Sequence, residues 1–292
     1  LNDKIYKNFL NKIDTFIKSN RILSRFSIFA NVSVNHLTSP HDSFYGSSFD
    51  KRDKSDYFSK LDFQTVYTKK YKNHLYIAPS IKLKKSYYQS TAGLNSRLLD
   101  FIFSFGLDKS ISSVPHKAEV SLIKNYEHRH FSKIENTYNE ENGLKSKFTI
   151  NPIRNYHLTY AYDYIDYKNL KFTNGYLQKN ELLNNFSFDN HALELGVSRE
   201  TRKGISAKRA KAIYLKRNLL SGINFKLLYS FKVLEENENK DKEKIYFASL
   251  EKALNKYFKI DLAIKSKNYL SQRLSSTEIK NRTISLSLYL IY

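Results

Sequence analysis

The sequence predicts an all-β protein, a transmembrane antiparallel β-barrel of the outer-membrane type with about 14 strands and a short N-terminal helix. The first observation is the last stretch, Arg282 to Tyr292, in which every second residue is apolar. Such alternation gives a strand one face for lipid and one for a polar interior. The second is that the pattern recurs along the chain, with long polar connections after odd strands and short turns after even ones. Long loops on one side are typical of outer-membrane barrels.

Composition agrees with a barrel and limits the other classes. The 292 residues are 41% hydrophobic with a mean hydropathy of -0.57, and no apolar run reaches about eighteen residues, so we expect no transmembrane helix. Tyrosine and phenylalanine supply all of the 15% aromatic residues, which suits interfacial girdles; an ordinary all-β core is the alternative. The absence of cysteine excludes disulfides, thiolate metal sites and a cysteine nucleophile. The absence of methionine leads us to expect a signal peptide and a longer region upstream.

Residues 1–23 differ from the rest because their apolar residues recur at helical spacing. They predict a short amphipathic helix whose apolar face contains Ile5, Phe9, Ile13, Phe16 and Ile17. We interpret residues 1–23 as a periplasmic helix that ends a missing helical-repeat domain, and residues 24–292 as the barrel. A plug or capping helix is the alternative.

The strands follow in order, each with alternating faces, although strands six, eight, ten and twelve alternate less clearly. The clearest are Phe26–Val34, Tyr57–Tyr71, Asn73–Tyr88, Leu99–Leu107, Lys117–His128, Tyr156–Tyr164, Ala192–Glu200, Ile223–Val233 and Thr283–Tyr292, and strand ten is predicted at Ala210–Leu219. Turns are predicted at Asn151–Pro152, Asp189–His191 and Ser221–Gly222, and long loops at Thr38–Ser55, around Lys203 and at Glu235–Lys244. An even strand count places both termini on the same side, which we expect to be the periplasm of a Gram-negative bacterium.

The faces opposite the apolar stripes carry polar and basic residues that we expect to line the lumen and to contact a passing molecule. These candidates are Asn31, Ser33, Asn35, Lys82, Lys84, Lys226, Lys232, Lys259 and Lys265. They predict a water-filled, net-basic interior. The alternative is a side-chain network that fills the barrel, in which the lysines pair with acids such as Asp100, Asp108 and Asp261.

A net charge of +21 raises the question of nucleic acid, but the basic residues are spread along the chain and no recognition motif accompanies them. We therefore expect no nucleic-acid partner, and favour anionic lipopolysaccharide outside and an acidic passenger inside. His128 and His130 have no third ligand at fixed spacing, so no metal site is predicted. No nucleophile elbow, phosphate-binding loop or dinucleotide fingerprint occurs, so we expect neither an enzyme nor a cofactor.

Two stretches resemble surface lipoprotein assembly modulators (the Slam family). In residues 9–40, a helix enters an alternating strand that ends in Asn31-Val32-Ser33-Val34-Asn35, similar to the family's Asp-Ser-Asn-hydrophobic-Asn stretch without its leading Asp. RAKAIYLKRNLLSGINFKLLYSF is similar to a later hairpin of that family. The resemblance implies the barrel domain of a translocon that helps surface lipoproteins or a secreted haem-binding protein cross the outer membrane. Its expected partners are the client protein, periplasmic chaperones and the barrel-assembly machinery.

Two other functions remain open, a general or anion-selective porin and an adhesin whose outer loops bind a ligand. We expect a monomer in each case. Export of a large passenger requires some strand pair to open, and the pair formed by the first and last strands lacks a connecting loop. Small residues on its inner face, Ser27, Asn31, Ser285 and Ser287, make it the candidate barrel seam.

Overall fold

The computed structural model describes the barrel strands and most of their turns. The described residues are 11, 26–38, 55–71, 73–89, 95–131, 135–169, 175–202, 205–220, 222–236, 239–271 and 277–291. The predicted helix and domain at residues 1–23, and the predicted loop Thr38–Ser55, lie almost wholly outside them. No helix among the described residues is long and apolar enough to cross a membrane.

The chain forms an all-β, closed, antiparallel barrel of 14 strands, as the alternation predicts. The strands are 12 to 19 residues long, and β2 is followed by a two-residue extension at Lys69–Lys70. Their bounds are β1 Phe26–Thr38, β2 Ser55–Tyr67, β3 Leu75–Tyr88, β4 Ser96–Ile111, β5 Val114–Phe131, β6 Glu135–Ile153, β7 Tyr156–Asn169, β8 Gly175–Phe188, β9 His191–Arg202, β10 Ile205–Leu220, β11 Ile223–Glu236, β12 Asn239–Ala253, β13 Phe258–Ser271 and β14 Thr277–Ile291.

Each strand pairs with its neighbours in the sequence, and the barrel closes where β1 pairs antiparallel with β14. The closing register runs from Phe29 opposite Ile291 to Thr38 opposite Arg282. Every neighbouring pair is therefore antiparallel, and closure leaves no unpaired sheet edge. Both strand ends nearest the termini lie at one end of the barrel, with the short turns. We call this end the turn rim and the opposite end the loop rim.

The turns at the turn rim are short, and two of the three predicted ones are confirmed. Asp189 and Asn190 alone connect β8 to β9, and Asp189 has a positive φ of 44°. Gly222, with a φ of 81°, precedes β11. The turn predicted at Asn151–Pro152 is wrong. Pro152 lies in β6, within a register shift between Ile150 and Ile153, where a residue without an N–H disturbs the ladder least.

Two of the predicted long loops at the loop rim are also wrong. Only two residues separate β9 from β10, which begins at Ile205, and only two separate β11 from β12, which begins at Asn239. The charged sequences on either side continue the strands. Glu236 pairs with Asn239 at the tip of the β11–β12 hairpin. Backbone hydrogen bonds make the ladder whatever the side chains are, so polar sequence did not end these strands.

The outer surface is an apolar band bordered by aromatic pairs. On β1, Val32 and Val34 are 53% and 59% exposed, whereas Ser33 and Asn35 between them are buried. Phe26 and Tyr67 pair near the turn rim with ring centroids 5.0 Å apart; Tyr164 and Tyr176 pair at the loop rim, 6.4 Å apart. Other paired rings are His36–Tyr57, Tyr156–Phe186 and Tyr229–Tyr246. An outward apolar band with aromatic borders is what a lipid bilayer requires of a spanning barrel.

Candidate functional site

The inner wall of the barrel is the candidate functional site. Directly opposed residues on neighbouring strands point to the same side, so the buried faces of Ser33 and Asn35 identify the inward positions on every strand. The nine predicted lumen residues all lie on this inner face: Asn31, Ser33, Asn35, Lys82, Lys84, Lys226, Lys232, Lys259 and Lys265. Whether they contact a passing molecule stays a prediction.

The expected net-basic interior is wrong, because acids match the cations along the wall. The sixteen inward cations with described side chains are Lys60, Lys70, Lys82, Lys84, Lys117, Lys145, Lys147, Lys179, Arg202, Arg209, Lys211, Lys226, Lys232, Lys259, Lys265 and Lys267. Fifteen described acids share that face: Asp56, Asp62, Asp100, Asp108, Glu119, Glu127, Glu141, Asp163, Glu181, Glu194, Glu200, Asp241, Glu243, Glu251 and Asp261. The wall is therefore close to neutral, although the chain is strongly basic.

Opposite charges face each other across neighbouring strands near β2–β4. Asp62 lies opposite Lys84, and Lys82 lies opposite Asp100. Directly opposed Cβ atoms in an antiparallel pair are about 5 Å apart, so such pairs attract. Each strand in this region thus neutralises the charge of the next.

A second group of ion pairs lies on β8–β10. Lys211 Nζ is 2.8 Å from Glu194 Oε1 and 3.2 Å from Glu181 Oε1. Lys179 Nζ donates a 2.8 Å hydrogen bond to the other oxygen of Glu181. Gly196, directly opposite Lys211, leaves room for the lysine stem, since a Cβ there would be 2.6 Å from it. The shared carboxylate holds two lysines against the wall.

The ion pairs continue across β9–β13. Lys232 Nζ lies 3.4 Å from Glu200 Oε2, and Glu243 lies 3.2 Å from Lys267 Nζ and 3.7 Å from Arg209. The side chains of Lys232, Glu200, Glu243 and Lys267 are less than one-fifth exposed to solvent, and that of Arg209 is 37% exposed. The alternative interpretation, in which the lysines pair with acids in a side-chain network, therefore holds for this part of the wall. The partners are mostly glutamates, which the sequence interpretation did not name.

Parts of the wall remain open to solvent. Lys84, Lys145, Lys147 and Lys265 are exposed although they point inward. The buried side-chain oxygens of Asn31, Asp62, Asp100, Asn125 and Asn281 have no hydrogen-bond partner among the described residues, and all lie on the inner face. A dry interior would leave these groups uncompensated at a cost of about 1–3 kcal/mol each. The wall is therefore built to face water.

One tyrosine crosses a glycine on the inner wall near the turn rim. The Tyr76 side chain passes over Gly106, directly opposite, and its hydroxyl donates a hydrogen bond to Glu119 on the next strand. Lys117 Nζ lies 5.2 Å from the ring centroid. Tyr76 is only 7% exposed, so the ring, the glycine and the carboxylate form one packed unit.

The first and last strands pair as predicted, with one correction to the residues, and whether this pair opens stays a prediction. Asn31, Ser33 and Asn35 of β1 lie opposite Tyr289, Ser287 and Ser285 of β14. Asn35 Nδ2 donates hydrogen bonds to Ser33 Oγ, 3.0 Å away, and to the Phe58 carbonyl, 3.3 Å away. Ser27 is not part of the seam, because the closing register begins two residues later, at Phe29; Ser27 pairs with Val66 of β2 instead.

No group of three or more metal-ligating side chains occurs among the described residues. His128 lies on the outer face, opposite Arg97, and the side chain of His130 lies outside the described part. Sequence reasoning named Asp100, Asp108 and Asp261 but missed the inward glutamates. Glu141, Glu181 and Glu243 lie on β6, β8 and β12, whose alternation is weak, and pairing each of these strands with a clearly alternating neighbour would have identified them as inward.

The fold is similar to that of solved outer-membrane channels. The outer membrane channel DcaP of Acinetobacter baumannii has a TM-score of 0.54 and 10% identity, over 91% of this chain and 96% of that one. Salmonella typhi OmpF in complex with daunomycin gives 0.54 and 6%, over 91% and 97%. A mutant of the TodX monoaromatic hydrocarbon channel gives 0.50 and 10%, over 91% and 89%. At these identities the likeness is one of fold. No model of a known protein family and no curated protein matches the sequence.

Proposed function

We propose that this chain is an outer-membrane channel that conducts small hydrophilic solutes and ions of both signs. The observation that carries the proposal is the inner wall, where matched cations and acids line the barrel and several lysines stay exposed to solvent. Charged rings on a wetted wall set which ions pass through a pore. Because cations and acids nearly balance, we expect weak selectivity rather than the anion selectivity that a basic lumen would give.

The outer membrane of a Gram-negative bacterium is the location that this barrel fits. Closed barrels with an outward apolar band and a polar interior satisfy all backbone hydrogen bonds within lipid. Likeness to solved outer-membrane channels supports the same location. We place both termini and the turn rim in the periplasm, since short turns face that side in such barrels.

The test is conductance in planar bilayers, with charge reversal at Lys145 and Lys147 on the exposed inner wall. Wild type should give steady conductance with a potassium-to-chloride permeability ratio near one. Lys145 lies opposite Asp163, and Lys147 opposite Glu119, so Lys145→Glu/Lys147→Glu gathers acids on neighbouring strands. Cation permeability should then rise severalfold over anion permeability.

The matched control is Lys244→Glu, which makes the same charge change on the outer face of β12. It should leave the permeability ratio unchanged. A protein that is folded, as shown by heat-modifiable gel mobility, but gives no conductance would refute the channel. Equal shifts from inner and outer variants would show that the wall does not set selectivity. Absence of an enzymatic activity stays a prediction, and the adhesin alternative depends on loops largely outside the described residues.

Protein export remains a second candidate because of one feature of the seam. Among the described residues, the inner faces of β1 and β14 carry no charged side chain, whereas the neighbouring strands β2 and β13 do. Separating β1 from β14 therefore breaks backbone hydrogen bonds but no inner ion pair, and no connection tethers the two strands. A client lipoprotein or secreted protein, with periplasmic chaperones and the barrel-assembly machinery as helpers, would use such an opening.

A disulfide across the seam separates the two candidates. Ser33 and Ser287 are directly opposed and the chain contains no cysteine, so Ser33→Cys/Ser287→Cys is a clean pair. If the chain exports clients, the oxidised variant should lose client display and regain it on reduction. The channel predicts the same conductance with the seam locked or open.

A further inference from the structure

The outer surface of the barrel contains the basic residues that the inner wall does not explain. On six strands, the outward apolar run ends toward the loop rim in a cation: Lys85, Arg97, Arg199, Lys208, Lys244 and Arg282. We call these six residues the cation collar. All six are exposed. Cations at the upper border of an apolar band lie at the level of lipid headgroups, where long side chains reach phosphates while their stems stay in the apolar layer.

The collar makes the two ends of the outer surface unequal. Toward the turn rim, the outward cations among the described residues are fewer: Lys69, Lys109, Lys216 and Lys252. The outward acids with described side chains toward the loop rim are Glu140, Asp166 and Glu235; Glu140 lies 3.3 Å from Lys124 and Glu235 lies 3.9 Å from Lys240, neither of which belongs to the collar. The leaflet around the loop rim is therefore expected to be the more anionic of the two.

Two collar residues form a site together with an apolar groove. Lys85 lies directly opposite Arg97, which lies directly opposite His128. Leu61 lies directly opposite Lys85, and the opposed pair Leu83 and Leu99 lies two residues nearer mid-membrane; these leucines line a groove of about 320 Å³ on the outer surface. That volume lies at the lower end of the range of small-molecule sites, about 300–1,000 Å³.

We propose that this groove binds a phosphorylated glycolipid of the lipid A class. One phosphate contacts the Lys85 ammonium and the Arg97 guanidinium, and the adjoining acyl chain lies against Leu61, Leu83 and Leu99. Guanidinium binds phosphate through two parallel hydrogen bonds, and the leucines continue the outward apolar band. No acid is among the residues that line the groove. The excess of cations on the rest of the collar favours a leaflet of many phosphates over one of zwitterionic lipid.

The choice of lipid A rests on the proposed place of the barrel in the outer membrane, with the loop rim outward, and is independent of whether the barrel conducts. The experiment uses the purified, folded full chain in detergent and follows bound lipid by native mass spectrometry. The probes are bisphosphorylated lipid A, phosphatidylglycerol and inorganic phosphate. Lipid A should bind most tightly. Lys85→Gln/Arg97→Gln should weaken lipid A binding about 30-fold. This corresponds to the loss of about 1 kcal/mol of electrostatic attraction to the anionic headgroup for each of the two cations.

The matched control is Lys216→Gln/Lys252→Gln, which removes two outward cations at the turn rim. It should leave lipid A binding within about twofold of wild type. A second variant, Leu83→Asn, keeps the cations and should weaken lipid A but not inorganic phosphate. Unchanged binding in the Lys85→Gln/Arg97→Gln variant would overturn the proposal. So would equal loss in the control, or phosphatidylglycerol or phosphate binding as tightly as lipid A. Conductance measured on the same variants should stay at the wild-type value, which separates this site from the channel.

Discussion

A methyl group on Gly106 should destabilise the barrel, and removing Tyr76 should abolish that effect. A Cβ at Gly106 would lie under 3.0 Å from the ring carbons and hydroxyl of Tyr76, a separation that real Cβ atoms do not adopt. The ring is nearly buried and hydrogen-bonded to Glu119, so it cannot move aside without losing that bond. Gly106→Ala therefore displaces the whole unit.

The magnitude follows from the two losses. Overpacking by one methyl costs about 1–3 kcal/mol. Loss of a hydrogen bond to a charged group costs about 1.5–3 kcal/mol, so Gly106→Ala should lower the free energy of unfolding by roughly 2.5–6 kcal/mol. In a Tyr76→Ala background no ring opposes the methyl group. There the same substitution should cost less than about 0.5 kcal/mol, giving a large coupling energy between the two positions.

The assay is urea unfolding in detergent micelles, followed by far-ultraviolet circular dichroism because the chain contains no tryptophan. Ser104→Ala is the matched control on the same face of β4. It removes one 2.7 Å hydrogen bond to Ser121 and should cost about 1 kcal/mol. If Gly106→Ala costs the same with and without the Tyr76 ring, the packing argument is wrong.

Three further outcomes test other parts of the barrel. Gly222→Ala should lower unfolding free energy by about 1 kcal/mol in the same urea assay, because its φ of 81° strains an L-residue although nothing lies within 4 Å. Lys211→Ala should make the pore more cation-selective in bilayers, since it leaves Glu194 without its 2.8 Å partner; unchanged permeability would place this pair outside the ion path. A cysteine at Lys240 should react with an impermeant maleimide on intact cells and one at Asn190 only after permeabilisation; the reverse result would invert the proposed orientation.

Alternation alone predicted much of the fold. The outward faces of β1, β4, β7, β11 and β14 follow from period two, because a barrel in lipid requires apolar residues on one side of each strand. Closure of β1 on β14 followed from the even number of strands. The nine predicted inward residues needed only this parity, which is why all of them lie on the inner face.

The alternation of inward and outward residues could not predict the register between strands, the ends of the strands or the net charge of the inner wall. Register decides that Ser27 faces β2 alone, and it is set by pairing along the whole strand. Strand ends were misplaced where charged sequence continues the ladder, as at residues 237–238. The sign of the wall was wrong because lysines were assigned from strands with clear alternation, while Glu181 and Glu243 lie on strands without it.

The distribution of charge has a physical reason that links the two proposals. On the concave inner wall, opposed side chains are about 5 Å apart and converge, so like charges there would repel through a partly desolvated space. A stable wall therefore needs about as many acids as cations, with each cation close to a carboxylate, as Lys232 is to Glu200. On the convex outer surface side chains diverge, and lipid phosphates can supply the counter-charge to residues such as Lys85 and Arg97. Substitutions of inner cations should thus change ion selectivity, whereas those of outer cations should change lipid binding and leave selectivity as it is.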